Sequence, residues 1–87
     1  MLTKEFKAVF VVISKNNCTF CDKAKTLLFE NDILYEEYNI ESMENKWLLG
    51  ILAKAGVTSV PQIYNMVGRH VGGYRDLKEL IDNLEKG

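Results

Sequence analysis

At 87 residues and 47% hydrophobic content the chain has the length and composition of one small globular domain, expected to run over residues 1–87. Eleven basic against twelve acidic side chains leave a net charge of −1, which removes the electrostatic case for nucleic acid or an anionic membrane as partner. A chain this short buries only roughly 60 to 65% of its unfolded surface, so a staple would help, yet Cys18 and Cys21 close a loop too short to be one.

The N-terminal stretch Met1 to Lys7 carries an acid and lacks a long apolar run before a small-residue cleavage site, which predicts no signal peptide. Ala8 to Ile13, the longest apolar run, is far too short to span a bilayer. A reducing, cytoplasmic compartment is expected.

Phe6 to Ile13 is β-branched, aromatic and apolar on both alternating faces, the pattern of a central strand covered on both sides. Ser14 to Asn17 is a polar loop. A helix should start at or just before Cys18, with Thr19 and Asp22 at capping-box spacing and Phe20, Ala24, Leu27 and Leu28 on its apolar face. Asn31-Asp32 ends it. Leu34 to Ile40 reads as a second, more polar strand near a sheet edge, parallel to the first across a βαβ unit.

Ser42 is positioned to cap a second helix with Met43, Trp47, Leu48, Ile51, Leu52 and Ala55 inward, and Gly56 to stop it. Trp47 is accordingly assigned to the core. After Val57 to Pro61 come two short strands, Gln62 to Asn65 and Arg69 to Val71, joined by a Met66-Val67-Gly68 turn. Beyond Gly72-Gly73, Leu77, Leu80, Ile81 and Leu84 recur at i, i+3, i+4, i+7, an amphipathic final helix. The order is β-α-β-α-β-β-α: an α/β fold with a four-stranded mixed sheet flanked by three helices.

Both cysteines sit where a strand ends and a helix begins, and C-x-x-C in that position reads as a thiol-disulfide redox site. A thiol attacks a disulfide as thiolate, and the helix N-terminus favours the anion. Cys18 is therefore assigned as nucleophile and Cys21, one turn in, as resolving thiol. Lys15 adds a cationic charge, a modest aid once solvent screens it. With no further cysteine and only His70, a four-ligand zinc site from one chain is disfavoured, and no metal is assigned. Gly72-Gly73 ahead of a helix makes a natural anion cradle. His70 reads as a surface residue, and no role is assigned to the hydroxyls of Tyr64 and Tyr74.

Three motifs in matching order resemble the glutaredoxins of the thioredoxin-like fold: Lys15-x-x-Cys18-Thr19-Phe20-Cys21, Ser59-Val60-Pro61, and Gly72-Gly73-Tyr74-Arg75-Asp76-Leu77. The resemblance implies a glutathione-dependent disulfide oxidoreductase that reduces protein disulfides and glutathione mixed disulfides. It implies a cis peptide bond before Pro61, and a Val60 backbone that pairs with glutathione as one strand pairs with another. It further implies that Lys15, Phe20, Pro61 and Tyr74 belong to the glutathione-binding surface with Val60, that Gly73 holds the ligand's γ-glutamyl end, and that Asp76 meets its α-ammonium. Glutathione would be a co-substrate with no tightly bound cofactor. Expected partners are disulfide-containing proteins, with donation to ribonucleotide reductase a familiar family role, and the expected state is a monomer.

The match has departures. Thr19 stands where proline is common, Phe20 replaces a tyrosine, and Arg75 takes the place of a small capping residue. Lys46 and Lys54 are the candidates on the second helix for the glycine carboxylate of glutathione. Two alternatives use the same cysteines. One is a thioredoxin-type reductant served by a flavoprotein reductase, with a potential of roughly −270 mV against about −200 to −230 mV; Cys-Thr-Phe-Cys lacks the Gly-Pro centre of that family. The other is a carrier whose [2Fe-2S] cluster is held by Cys18 of two subunits and two glutathiones, which the absence of proline after Cys18 permits.

Overall fold

The computed structural model describes residues 9–56 and 59–86, so the expected strand residues Phe6 to Ala8 and the segment Val57-Thr58 lie outside the described residues. The strands are β1 (Phe10–Ser14), β2 (Tyr35–Asn39), β3 (Gln62–Tyr64) and β4 (His70–Gly72). The helices are α1 (Thr19–Glu30), α2 (Trp47–Lys54) and α3 (Tyr74–Lys86), with a separate 3-10 turn at Met43–Asn45. The sheet order is β2-β1-β3-β4. β1 runs parallel to β2 and antiparallel to β3, and β3 pairs antiparallel with β4. This is the thioredoxin-like arrangement expected from the sequence.

β1 is an inner strand because its apolar side chains on both faces need cover. Phe10 and Val12 join Ala24, Leu28, Ile63, Leu77 and Ile81 in one buried cluster, so α1 and α3 share a face of the sheet. Ile13, also buried, points to the opposite face because successive strand residues alternate. The polar β2 takes the edge, as its composition requires.

The loops follow local chemistry. Asn31 ends α1 with its side-chain amide donating to the Leu27 carbonyl (2.8 Å), and Asp32 turns the chain at φ 58°. In the hairpin, Asn65 Oδ1 accepts from the amides of Val67 (3.0 Å) and Arg69 (2.9 Å), the side-chain turn that asparagine favours.

Two expectations are corrected. Cys18, not Thr19, is the cap of α1: its backbone is extended and its sulfur accepts from Cys21 N, while Thr19 is already helical. The second-helix stripe is also broken. The 3-10 turn separates Met43 from α2, and Ser42 makes no side-chain cap bond. An eight-residue helix offers only a narrow inward face, so Leu48 and Leu52 are buried while Trp47 is 58% and Ile51 54% exposed.

Candidate active site

The loop between β1 and α1 is fastened to the end of β2 before the cysteines begin. Asn39 donates its side-chain amide to Asn16 Oδ1 (2.9 Å), and Glu41 Oε1 accepts from the Asn16 backbone (3.0 Å). Asn17 then takes φ 55°, a left-handed turn that asparagine tolerates, and delivers Cys18 to the helix N-terminus. Nothing in the sequence pattern singled out Asn16, Asn39 or Glu41.

Cys18 and Cys21 form a disulfide with Cα atoms 5.2 Å apart. Cys21 is fully buried and Cys18 only half-buried, so one sulfur can be approached from outside and the other cannot. The Cys21 amide points at Cys18 Sγ (3.2 Å), a backbone donor that also favours negative charge on that sulfur once the pair is reduced. On its other side Cys18 Sγ lies 3.9 Å from the Val60 carbonyl oxygen. The Val60-Pro61 peptide bond is cis.

Two clefts share Ser59 and Val60, whose carbonyl lies beside Cys18. The first, about 600 Å³, is lined by Phe20, Pro61, Gly73, Tyr74 and Asp76 among others. The Phe20 and Tyr74 rings stand 5.9 Å apart at its wall, and Lys23 lies over the Phe20 ring. The second, about 590 Å³, has Lys15 at its edge and Ile40, Leu49, Leu52 and Ala53 as its apolar lining. The sequence-assigned Phe20, Val60, Pro61, Gly73, Tyr74 and Asp76 thus line one cleft and Lys15 the other, with Val60, beside Cys18, common to both. Neither Lys46 nor Lys54 lines either cleft.

At the Gly72-Gly73 turn, Asp76 reaches back and its Oδ2 accepts from the Gly73 amide (3.1 Å), half of a capping box. One N–H of the expected anion cradle is therefore occupied by Asp76 itself. Gln62 and His70, which also line this cleft, were not assigned from the sequence.

A polar cluster sits under α1. The fully buried Ser14 donates to Glu37 Oε2 (2.6 Å), which also accepts from Lys25 Nζ (2.8 Å). Partial burial pushes the Glu37 carboxyl up, but hydrogen bonds from Lys25 and Ser14 outweigh it and leave it below its ordinary value. The bond to Glu37 raises the Lys25 ammonium against the opposing effect of burial. Among the described residues no group of three or more His, Cys, Asp and Glu is gathered to hold a metal ion, and no helix is long and apolar enough to cross a membrane.

A family model described as Glutaredoxin matches residues 10–71. Glutaredoxin 1 of Rickettsia prowazekii is 33% identical over 86 residues, covering 98% of this chain and 85% of that protein. Hybrid peroxiredoxin hyPrx5 of Haemophilus influenzae is 34% identical over 68 residues, 78% of this chain, which spans only 27% of that protein. Among solved structures, a buckwheat glutaredoxin-glutathione complex superposes with a TM-score of 0.72 at 24% identity, over 85% of this chain and 68% of that one.

Proposed function

This chain belongs to the glutaredoxin family, and on that premise we propose that it is a glutathione-dependent reductase of protein disulfides and glutathione mixed disulfides. The coarser activity, thiol-disulfide oxidoreduction, follows from family membership and the Cys18-Cys21 pair. Glutathione dependence rests on one observation above all: the accessible sulfur of Cys18 lies beside the Val60 carbonyl, where the cleft leading to Gly73 and Asp76 begins. The similarity to a glutaredoxin solved with glutathione supports the same reading.

In the proposed cycle the Cys18 thiolate attacks the glutathione sulfur of a mixed disulfide. A Cys18-glutathione disulfide forms and the substrate leaves as thiolate, taking a proton from solvent. A second glutathione thiolate attacks the glutathione sulfur of that intermediate, releasing oxidised glutathione and the Cys18 thiolate. With a protein disulfide, Cys18 joins one substrate sulfur and Cys21 then attacks Cys18, releasing the dithiol protein and closing the Cys18-Cys21 disulfide. Two glutathiones reopen it. Val60 would align the ligand backbone, Phe20 and Tyr74 would wall its flank, and Lys15 would favour the Cys18 thiolate. Gly73 and Asp76 would receive the γ-glutamyl end. The protein would act as a monomer in the cytosol, with ribonucleotide reductase one candidate among its substrates.

The test is the electron source. Reduced glutathione alone should sustain turnover of a small glutathione mixed disulfide. Turnover only with a flavoprotein thioredoxin reductase would overturn the reading.

A further inference from the structure

Gln62, the first residue of β3, is buried to 9% exposure directly behind the Val60-Pro61 bond. Its side-chain nitrogen donates to the Ser59 carbonyl at 2.9 Å. A carbonyl only accepts, so the nitrogen of this amide must face Ser59 and its oxygen must face the other way. There it meets His70 Nε2 at 2.6 Å, and an amide oxygen likewise only accepts, so Nε2 must carry the hydrogen. The imidazole is held in place from the side by Tyr64, its partner across the hairpin, at 5.0 Å between ring centroids.

Three groups in line, imidazole, amide and carbonyl, thus connect β4 to the residue that precedes Val60. We propose that His70 is a positioning residue of the active site, acting through Gln62 to hold the Ser59-Val60 backbone, which lines both clefts and runs beside Cys18. Without the His70 donor the buried Gln62 oxygen loses its one partner among the described residues, and the amide gains reason to turn away from Ser59. The backbone beside Cys18 then has more conformations open to it, and binding of an extended ligand along Val60 weakens.

The kinetic arm of the test rests on the glutathione-dependent reading; the spectroscopic arm does not. His70→Phe keeps a ring against Tyr64 and deletes the donor. It should raise KM for a small glutathione mixed disulfide about threefold to tenfold, the worth of one hydrogen bond, with kcat within about twofold. His70→Gln, which can donate again, should recover most of the loss. Gln62→Leu should raise KM at least as much, and the double variant should be no worse than Gln62→Leu alone. Unchanged KM in His70→Phe overturns the proposal, and so do multiplying effects in the double variant, which would mean that His70 acts on the ligand by another route.

His70 is the only histidine, so its side-chain nitrogen resonances are unambiguous. Followed across pH, the neutral imidazole of the native protein should show the Nε2–H tautomer and that of Gln62→Leu a mixture. An Nδ1–H tautomer in the native protein overturns the relay whatever the activity. Absence of glutathione turnover in a native protein that shows the Nε2–H form would count against the glutathione reading instead.

Discussion

The carboxylate of Asp76 occupies the space that any side chain on Gly72 would need: a Cβ placed there falls 2.7 Å from Asp76 Cγ and 2.9 Å from its Cβ. Gly72 also has φ +123°, a backbone region that other residues rarely enter. Gly73 is different, because a Cβ on it would meet only the Pro61 carbonyl at an ordinary 3.7 Å. Adjacent glycines therefore serve separate needs. One permits the Asp76 cap, and the other gives its amide to it.

Gly72→Ala should accordingly destabilise the protein by about 2 kcal/mol or more, whereas Gly73→Ala should stay within about 1 kcal/mol. Urea unfolding of the two variants checks this. Equal losses would mean that the Asp76 contact does not decide the turn.

Helix α2 offers a second comparison. Leu48 is buried and its neighbour Trp47 is mostly in solvent. Leu48→Ala should cost about 2 to 4 kcal/mol and Trp47→Ala less than about 1 kcal/mol. Trp47 is the only tryptophan, so its fluorescence should be red-shifted and readily quenched by iodide in the native state. A blue-shifted, protected emission would restore it to the core.

The Ser14-Glu37-Lys25 cluster makes stability depend on pH at both ends. Glu37 lies below its ordinary value of 4.5, so its contribution is present above that value and is lost as pH falls through the folded one. Lys25 lies above its ordinary 10.5, so its contribution is full below that value and is lost as pH rises through the folded one. Lys25→Met should lower stability by about 1 kcal/mol near neutral pH, with the loss shrinking as the pH falls far enough below 4.5 for the Glu37 carboxylate to be protonated. Thermal melts of both proteins across this range test it; a pH-independent difference would contradict the pairing.

Much of this was legible because local and global signals agree. The apolar run to Ile13, the Cys18 junction, the polar second strand, the Gly56 stop and the i, i+3, i+4, i+7 stripe each point to one element. The second helix misled because its apolar residues outnumber the positions that can face inward, and periodicity alone does not reveal that a 3-10 turn interrupts the stripe. Thr19 was placed one residue wrong as cap because sulfur is an unusual cap acceptor. Contacts far apart in sequence were invisible. Asn16 with Glu41 and Gln62 with His70 are polar residues in loops or short strands, and only the folded register brings them together.

The most direct measurement of the central claim is turnover of a small glutathione mixed disulfide, with glutathione as sole reductant, in Cys18→Ser and Cys21→Ser beside the native protein. With the accessible, half-buried Cys18 as nucleophile and the buried Cys21 as resolving thiol, Cys18→Ser should lose activity to background and Cys21→Ser should keep most of it. Retained activity in Cys18→Ser, or equal loss in both, would contradict the account.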